Sequence, residues 1–428
     1  MSESDGSFGA SSLVALATGG MVGGGIYVAL GVVVEAAGPW TWLSFVIAGF
    51  VATTTAASYA ELSNHFEAGG GSFAFLEKIQ RRGAAGSLSW VLIIAYTLTI
   101  ALYGFAFGRY VAHAFGAGSV TARVLSTVIL AALIGLNLMG AGKLKVVEIA
   151  IVSLNLAALV VLAVIGLSDW RPDRLEVPAV DHSVWSAWSG AAAIFVSYEG
   201  FQLLTYEYDE IREPRRILRR GLVWSSIAVV AIYVAVGLGA TMIVGAPGIV
   251  DSASVSLAVA AENAAGTVGL VVMTVAAAFA TSAAINSTLY SSAQLARRVA
   301  EDGELPVWLD ERNEHGVPSR AIIGIGAVAA LLAVMGSLSS LVEAASIAFL
   351  AAFGTVNVIA WRLRVGSRWV SGAAVGVGTV VAAVLVVRLI TTKPIAFGLI
   401  VVLFLVAFLV RPRILAHVAV ETDDRAAT

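Results

Sequence analysis

The side chain in this sequence best placed to do chemistry is Glu199, which lies about fifteen residues into an apolar segment. A charge at the centre of a membrane helix costs about 2.5 to 3.5 kcal/mol on insertion scales, so an acid there is usually functional or neutralised. Glu199 could contact the amine of a solute or carry a coupling proton. The alternative is a protonated or hydrogen-bonded acid with a purely structural role. Gly200 next to it supplies the backbone freedom that a helix interruption needs.

A glycine-rich segment in the first apolar run is the second chemically suggestive element, and it reads Gly19-Gly20-Met21-Val22-Gly23-Gly24-Gly25-Ile26-Tyr27. Its five glycines cost about 5 kcal/mol of helix propensity relative to alanine, at about 1 kcal/mol each. Close helix packing would explain glycines on one face, but Gly23, Gly24 and Gly25 sweep roughly 200° of the helix circumference. We therefore expect local unwinding, which exposes backbone N–H and C=O groups that can hold a carboxylate.

The two irregular segments fall in the first and the sixth apolar runs, five helices apart. Paired interruptions in corresponding positions of two halves are the best sequence indicator of a transporter's central binding site. A five-helix repeat inverted in the membrane would bring both interruptions together at mid-depth. The support for this repeat is positional, since no residue identity between the halves is visible.

The composition requires a membrane environment for these segments. Apolar residues make up 59% of the 428 positions, charged residues 13%, and the mean hydropathy is +0.89, whereas about a quarter of a soluble chain is charged. Runs of about twenty apolar residues are long enough to cross the hydrocarbon layer as helices. The sequence predicts an all-α integral membrane protein of about twelve spans, near residues 11–34, 39–63, 87–115, 121–141, 146–168, 184–206, 220–244, 267–298, 319–336, 341–361, 369–390 and 394–411.

The positive charges predict the orientation, because cytoplasmic loops of membrane proteins carry an excess of Lys and Arg. All but six of these residues fall on one side of the predicted spans; the exceptions are Arg109, Arg123, Arg171, Arg174, Arg388 and Lys393. Both tails, residues 1–10 and 412–428, are then expected in the cytoplasm of a multi-pass protein of the cytoplasmic membrane. The first nine residues lack Lys and Arg, so they do not form a cleavable signal peptide.

Several functional classes are disfavoured by residues that are missing from the sequence. The net charge of −2 provides no basic field for nucleic acid, and the absence of cysteine excludes thiolate chemistry. The five histidines show no zinc-ligand spacing, and neither His nor Cys lies at membrane depth to serve an intramembrane enzyme. We therefore expect no enzyme activity, metal or cofactor. An ion channel would more naturally be a symmetric oligomer with a repeated pore loop, which the sequence lacks.

Four short motifs follow one another along the chain. They read Gly23-Gly24-Gly25-Ile26-Tyr27 in helix 1, Tyr59-Ala60-Glu61-Leu62-Ser63 followed by Gly69-Gly70-Gly71-Ser72-Phe73 after helix 2, Tyr198-Glu199-Gly200-Phe201 followed by Asp209-Glu210-Ile211-Arg212-Glu213-Pro214-Arg215-Arg216 at helix 6, and Arg298 to Pro306 followed by Gly316-Val317-Pro318 after helix 8. With these motifs in this order, the chain resembles the amino acid–polyamine–organocation superfamily of permeases over about residues 10–410.

The resemblance implies a five-plus-five inverted repeat with discontinuous helices 1 and 6, working by alternating access. The repeats would be residues 11–168 and 184–361, with two accessory helices at 369–411. It also implies secondary transport of an amino acid or related amine, by proton symport or by exchange. A transporter-fold sensor and a carrier of polyamines or other organic cations stay open as alternatives, as do the exact substrate, the coupling ion, the direction of transport and the oligomeric state.

The resemblance also suggests which residues hold the substrate. Unwound backbone would grip the carboxylate and amine of the solute, and Phe201 would be an aromatic gate. Tyr96 in helix 3 and Asn286 in helix 8 are further candidates, although such side chains often serve packing. The expected substrate-binding set is Gly23, Gly24, Gly25, Ile26, Ser197, Tyr198, Glu199, Gly200, Phe201, Gln202, Tyr96 and Asn286.

Two departures from the family pattern bear on coupling. Some relatives carry a lysine midway along helix 5, where this chain has Asn155, and an acid after the Gly-Phe pair, where it has Gln202. Neither Asn155 nor Gln202 can act through a charge. Glu199 is then expected to be the only deeply buried acid, so we assign a coupling role first to Glu199 and only by position to Asn155.

Overall fold

The computed structural model describes residues 10–67, 69, 71–79, 82–140, 145–177, 181–206, 208, 211 and 213–405, and within them the protein is helical without a β-strand. The tail residues 1–9 and 412–428, and the motif residues Gly70, Asp209, Glu210 and Arg212, lie outside the described residues. The helices are α1 (Ala10–Val22), α2 (Gly25–Ala37), α3 (Thr41–Phe66), α4 (Gly71–Lys78), α5 (Arg82–Ala114), α6 (Ser119–Leu138), α7 (Lys145–Ser168), α8 (Ser186–Ala193), α9 (Leu203–Tyr206), α10 (Pro214–Val244), α11 (Ala246–Asp251), α12 (Ser256–Glu301), α13 (Ser319–Met335), α14 (Leu338–Leu363), α15 (Arg368–Thr392) and α16 (Pro394–Leu405).

Eight helical stretches in the described part of the chain are long and apolar enough to cross a membrane. They are Gly25–Phe66, Ala85–Ala114, Ser119–Leu138, Ile151–Ser168, Pro214–Val244, Ser256–Glu301, Leu338–Leu363 and Arg368–Thr392. The prediction of an all-α membrane protein is thus confirmed, while the count of about twelve spans stays a prediction. Other predicted spans correspond to helices that are interrupted, as α1 and α8 are, or short, as α13 is.

Some segments expected to be loops are helical. The segment 247–263, predicted as a connection, forms α11 and the beginning of α12. The 46 residues of α12 include a kink at Ala265 and Gly266, and Gly266 has a φ of +60°. This left-handed conformation is costly for residues with a Cβ atom, so glycine permits the turn. The expected start of helix 8 at residue 267 therefore falls directly after the kink.

Close helix packing comes from small residues, as is usual where lipid provides no hydrophobic drive between helices. A methyl group on Gly166 of α7 would overlap the backbone of Gly239 in α10, and one on Gly108 of α5 would overlap the Ala122 carbonyl of α6. Polar pairs add specific links between distant helices. The Asn357 amide of α14, for example, donates a 2.9 Å hydrogen bond to the Thr55 hydroxyl of α3.

Candidate functional site

The first apolar segment is broken at the glycine run, as the sequence predicts. Helix α1 ends at Val22 and α2 begins at Gly25. Gly24 lies between them with φ −131° and ψ −19°, and no side chain caps the start of α2. The first N–H groups of a helix lack partners within it, and they carry the positive end of its dipole. This half-helix therefore presents donors for an anionic group.

The sixth apolar segment is broken over a longer stretch. Helix α8 ends at Ala193, a short 3₁₀ helix covers Phe195–Tyr198, and α9 begins only at Leu203. Glu199 is extended, with φ −65° and ψ 149°, and Gly200 has a φ of +126°. Only glycine adopts that conformation without strain, so the predicted role of Gly200 as the source of backbone freedom is confirmed.

The two breaks lie directly against each other. A methyl group on Gly200 would lie 2.6 Å from the carbonyl carbon of Gly20, and one on Gly25 would overlap the carbonyl oxygen of Ser197. Both contacts are between main chains, and side chains would hold them apart. The expectation that the interruptions of helices 1 and 6 meet inside the protein is therefore confirmed.

A tyrosine from α10 links the two breaks. The Tyr233 hydroxyl lies 2.8 Å from the Met21 carbonyl oxygen at the end of α1 and 2.8 Å from the Ser197 carbonyl oxygen. Both carbonyls lie in interrupted backbone and need donors from elsewhere in the protein. Since a hydroxyl carries one proton, Tyr233 serves the two acceptors by sharing or alternating.

A serine from α14 supports the first part of the helix 6 break. The Ser346 hydroxyl donates to the Ala193 carbonyl oxygen at 2.8 Å and accepts from the Val196 N–H at 3.0 Å. It thus satisfies one acceptor and one donor that the end of α8 leaves open. Ser346 is fully buried, so water does not compete for these bonds.

The acid at the break belongs to a hydrogen-bonded group with Gln202. The Gln202 amide donates to Glu199 Oε1 at 2.9 Å, and its carbonyl oxygen accepts from the Gly200 N–H at 2.9 Å. The Tyr96 hydroxyl lies 3.4 Å from the Gln202 amide nitrogen and 3.3 Å from the Tyr206 hydroxyl of α9. Gln202 therefore holds the acid and the backbone of the break in place.

Tyr103 and Ser197 carry buried hydroxyls that have no hydrogen-bond partner among the described residues. The ring of Tyr103 lies where a side chain at Gly24 would project, which places it at the helix 1 break. Buried polar atoms almost always have partners. These hydroxyls therefore suit a bound solute or ordered water. The acid of the site, Glu199, is also buried, with 1% of its surface exposed.

Aromatic rings close over one side of the break. Phe201 packs against Tyr59 of α3 and Phe353 of α14, with ring centroids 5.8 and 5.3 Å apart. Phe349 lies between Phe353 and Tyr96, and its ring centroid is 5.4 Å from that of Phe353 and 5.6 Å from that of Tyr96. The role of Phe201 as a gate stays a prediction, and this packing shows which helices would have to separate for it to open.

Other residues singled out from the sequence serve links between helices. The side-chain oxygen of Asn155 accepts a 2.5 Å hydrogen bond from the Tyr27 hydroxyl of α2. The α7 residue that lies against Gly19 of α1 is Val152, not Asn155. Asn286 accepts a 2.8 Å bond from the Asn137 amide of α6. Tyr198 directs its hydroxyl away to the Phe45 carbonyl oxygen at 2.7 Å. Ile26, the remaining member of the expected set, is buried in the first turn of α2.

The expectation that Glu199 is the only deeply buried acid is wrong. Glu343 of α14 is also fully buried, and one of its oxygens contacts both Arg388 and Lys393. In the sequence it lies close to the predicted end of a span, where an acid normally remains in water. The partners that permit its burial come from the end of α15, about 45 residues later.

Comparisons with known proteins agree with this architecture. The amino acid permease family matches residues 8–419. An uncharacterised protein of Methanocaldococcus jannaschii is 30% identical over 70% of this chain and 69% of its own length. An inner membrane transport protein of Escherichia coli is 26% identical over 82% of this chain and 83% of its own. A vacuolar cationic amino acid transporter of Arabidopsis thaliana is 28% identical, and the match covers 83% of this chain but 62% of that longer protein.

Replacing Gly200 by alanine is expected to destabilise the protein strongly, because the methyl group meets the Gly20 backbone as well as an unfavourable φ. Gly266→Ala is the matched control: Gly266 also has a positive φ, but open space surrounds it. The control should lose only about 1 to 3 kcal/mol of stability, the cost of a side chain in that backbone conformation. Thermal unfolding in detergent measures both variants. Equal losses of stability would contradict the close contact of the two breaks.

The variant Ser346→Ala should lower the unfolding free energy by about 1 to 3 kcal/mol, since it leaves the Val196 N–H and the Ala193 carbonyl buried without their partner. Ser226→Ala is a suitable comparison, because Ser226 is equally buried but bonds only the Leu222 carbonyl of its own helix. Denaturation of the two purified variants gives the difference. If Ser226→Ala were the more damaging change, Ser346 would not support the break.

Proposed function

We propose that this chain, which belongs to the amino acid permease family, is a secondary transporter that carries an amino acid or a related amine by alternating access. The observation that carries the proposal is the contact between two interrupted helices beside a buried acid. A zwitterion needs donors for its carboxylate and acceptors for its amine within one small volume. Interrupted backbone provides both, and it is tolerated at membrane depth where it lines a cavity.

The carboxylate of the substrate would bind at the start of α2. Backbone N–H groups of Gly25 and Ile26 lie in its first turn without a side-chain cap, and the helix dipole favours negative charge there. The free hydroxyls of Tyr103 and Ser197 add possible donors. This assigns Gly23, Gly24, Gly25 and Ile26 to the carboxylate end.

The amine of the substrate would bind toward Glu199. The Gln202 amide satisfies one oxygen of this carboxyl group, and no salt bridge to Glu199 is found within the described residues. A cationic amine would therefore meet an acid whose charge is only partly compensated, in a buried site where the attraction between charges is stronger than in water. Related carriers named for cationic amino acids are consistent with this choice, and Glu199 is also our candidate for a coupling proton.

Opening toward the cytoplasm would separate α10 and α14 from α3. The rings of Phe201, Tyr59 and Phe353 close that route. Nearby, the Arg219 guanidinium at the start of α10 lies 2.8 Å from Glu61 in α3. This ion pair lies on the side that the basic loops predict to be cytoplasmic. We propose that ring contacts and ion pair break together when the inner pathway opens.

Asn155 leaves this chain without a titratable group at its position in α7, and its bond to Tyr27 ties α7 to the outer half of helix 1. Within the site formed by the two breaks, proton coupling would then use Glu199, whereas exchange of one solute for another needs no titration. Uptake into proteoliposomes distinguishes a carrier from a sensor. A carrier gives saturable flux with counterflow, and a sensor binds solute without moving it.

The variant Glu199→Gln is expected to abolish pH-dependent uptake of amine-bearing solutes, because a neutral amide neither pairs with an amine nor carries a proton. Uptake by proteoliposomes is measured between pH 5 and 8. Glu35→Gln, which changes an exposed acid of α2, should behave like the parent. Identical pH profiles for the parent and Glu199→Gln would reject both roles of the acid.

Gly24→Ala should weaken substrate binding, since its methyl group overlaps the ring of Tyr103. The same overlap should lower the stability of the protein. Combining Gly24→Ala with Tyr103→Leu should recover part of that loss, because the smaller leucine side chain leaves room for the methyl group. A double-mutant cycle on thermal stability, with and without solute, measures this coupling. Strictly additive losses would show that Gly24 and Tyr103 do not meet.

A further inference from the structure

A cluster of three charged side chains, Glu343, Arg388 and Lys393, lies away from the helix breaks, near the junction of α15 and α16. The Arg388 Nε donates to Glu343 Oε1 at 3.2 Å, and the Lys393 ammonium donates to the same oxygen at 3.1 Å. Glu343 is fully buried, whereas about a fifth of each cationic side chain is exposed. The acid is thus hidden behind two cations that face outward.

The charges of this cluster do not balance. Two cations share one carboxylate, and among the described residues Glu343 is the only acid within 4 Å of either. One net positive charge remains at the edge of the protein. The Arg388 guanidinium has five N–H donors in a planar fork, and only its Nε–H is hydrogen-bonded to another described residue. The remaining donors match a phosphate group.

A groove runs from this charge along the protein surface between α8 and α15. It has a volume of about 450 Å³ and is lined by Ser189, Ala383, Val384, Val387, Arg388, Thr391 and Thr392. Its walls beyond Arg388 are largely aliphatic, and 61% of Val387 is exposed. Val384 and Val387 lie within about one helical turn of Arg388 on the side of the hydrocarbon layer.

We propose that this groove binds an anionic phospholipid. Its phosphate would bind the free donors of Arg388 with Lys393 nearby, and an acyl chain would lie along Val384 and Val387. Charge complementarity selects the anionic headgroup, and the aliphatic wall selects a lipid over a free anion. Arg388 lies in the last turns of α15 and Lys393 is the single residue between α15 and α16. This junction separates two predicted spans, and cationic side chains at the ends of spans lie near the lipid headgroups.

The position of the groove connects it to the helix breaks through two elements. Ser189 on its far wall belongs to α8, the first half of the interrupted helix 6. Glu343 precedes Ser346, which supports that interruption, by three residues on α14. A lipid bound here would contact α8 directly and would reach α14 through the Arg388–Glu343 ion pair. The inference does not depend on the identity of the transported solute.

The test is thermal unfolding of the purified full chain in detergent, titrated with phosphatidylglycerol or with phosphatidylcholine of the same acyl chains. Phosphatidylglycerol should raise the melting temperature more than phosphatidylcholine. Arg388→Ala should raise the lipid concentration needed for this specific response roughly tenfold, the loss expected for a hydrogen bond to a charged group. Arg123, an exposed arginine at the start of α6, is the control, and Arg123→Ala should leave the response unchanged. Equal responses of the parent to both lipids would overturn the proposal.

Two further variants separate lipid binding from a structural ion pair. Glu343→Gln raises the net charge of the cluster, so it should strengthen the response to phosphatidylglycerol even if basal stability falls. Val387→Trp fills the groove without touching the charges and should abolish that response. A purely structural cluster predicts the opposite: an unchanged or lost response in Glu343→Gln and an unchanged one in Val387→Trp. Inorganic phosphate alone should have no effect, and a full effect of phosphate would reject the lipid.

Discussion

The hydrogen-bonding requirement of the backbone in an apolar medium governs this structure. Every N–H and C=O group that leaves a helix inside the membrane needs another partner, and the sequence interrupts two helices where glycines and Glu199 lie. The partners come from elsewhere in the fold: Tyr233 from α10, Ser346 from α14 and Gln202 from the break itself. Other parts of the bundle thus support the interruptions as well as surround them.

The supporting bonds differ in how firmly they hold the breaks. Ser346 gives one bond and receives one, so both of its links can exist together. Tyr233 offers a single proton to two carbonyl oxygens. The break in helix 6 is therefore anchored to α14 more firmly than the breaks are joined to each other. The alternating access proposed above would use this combination of a fixed anchor and an exchangeable link.

The sequence predicted the site to the extent that its signals are local. The glycine run from Gly19 to Gly25 and an acid beside Gly200 are unfavourable in a membrane helix, and both positions are interrupted. Tyr233 and Ser346 gave no such signal, because a lone hydroxyl in a span usually bonds its own helix. Their partners lie 36 or more residues away along the chain. Glu343 was overlooked for the same reason, since its cations follow on the next helix.

The contact of Gly20 with Gly200 is made by main-chain atoms alone. Neither residue has a side chain, so this contact between the two interrupted helices does not depend on the chemical character of the side chains around it. In the proposed site, Tyr103, Glu199 and Gln202 could therefore be exchanged during evolution for side chains that suit a different solute, while the main-chain contact is kept. One backbone arrangement is in this way compatible with binding sites of different specificity.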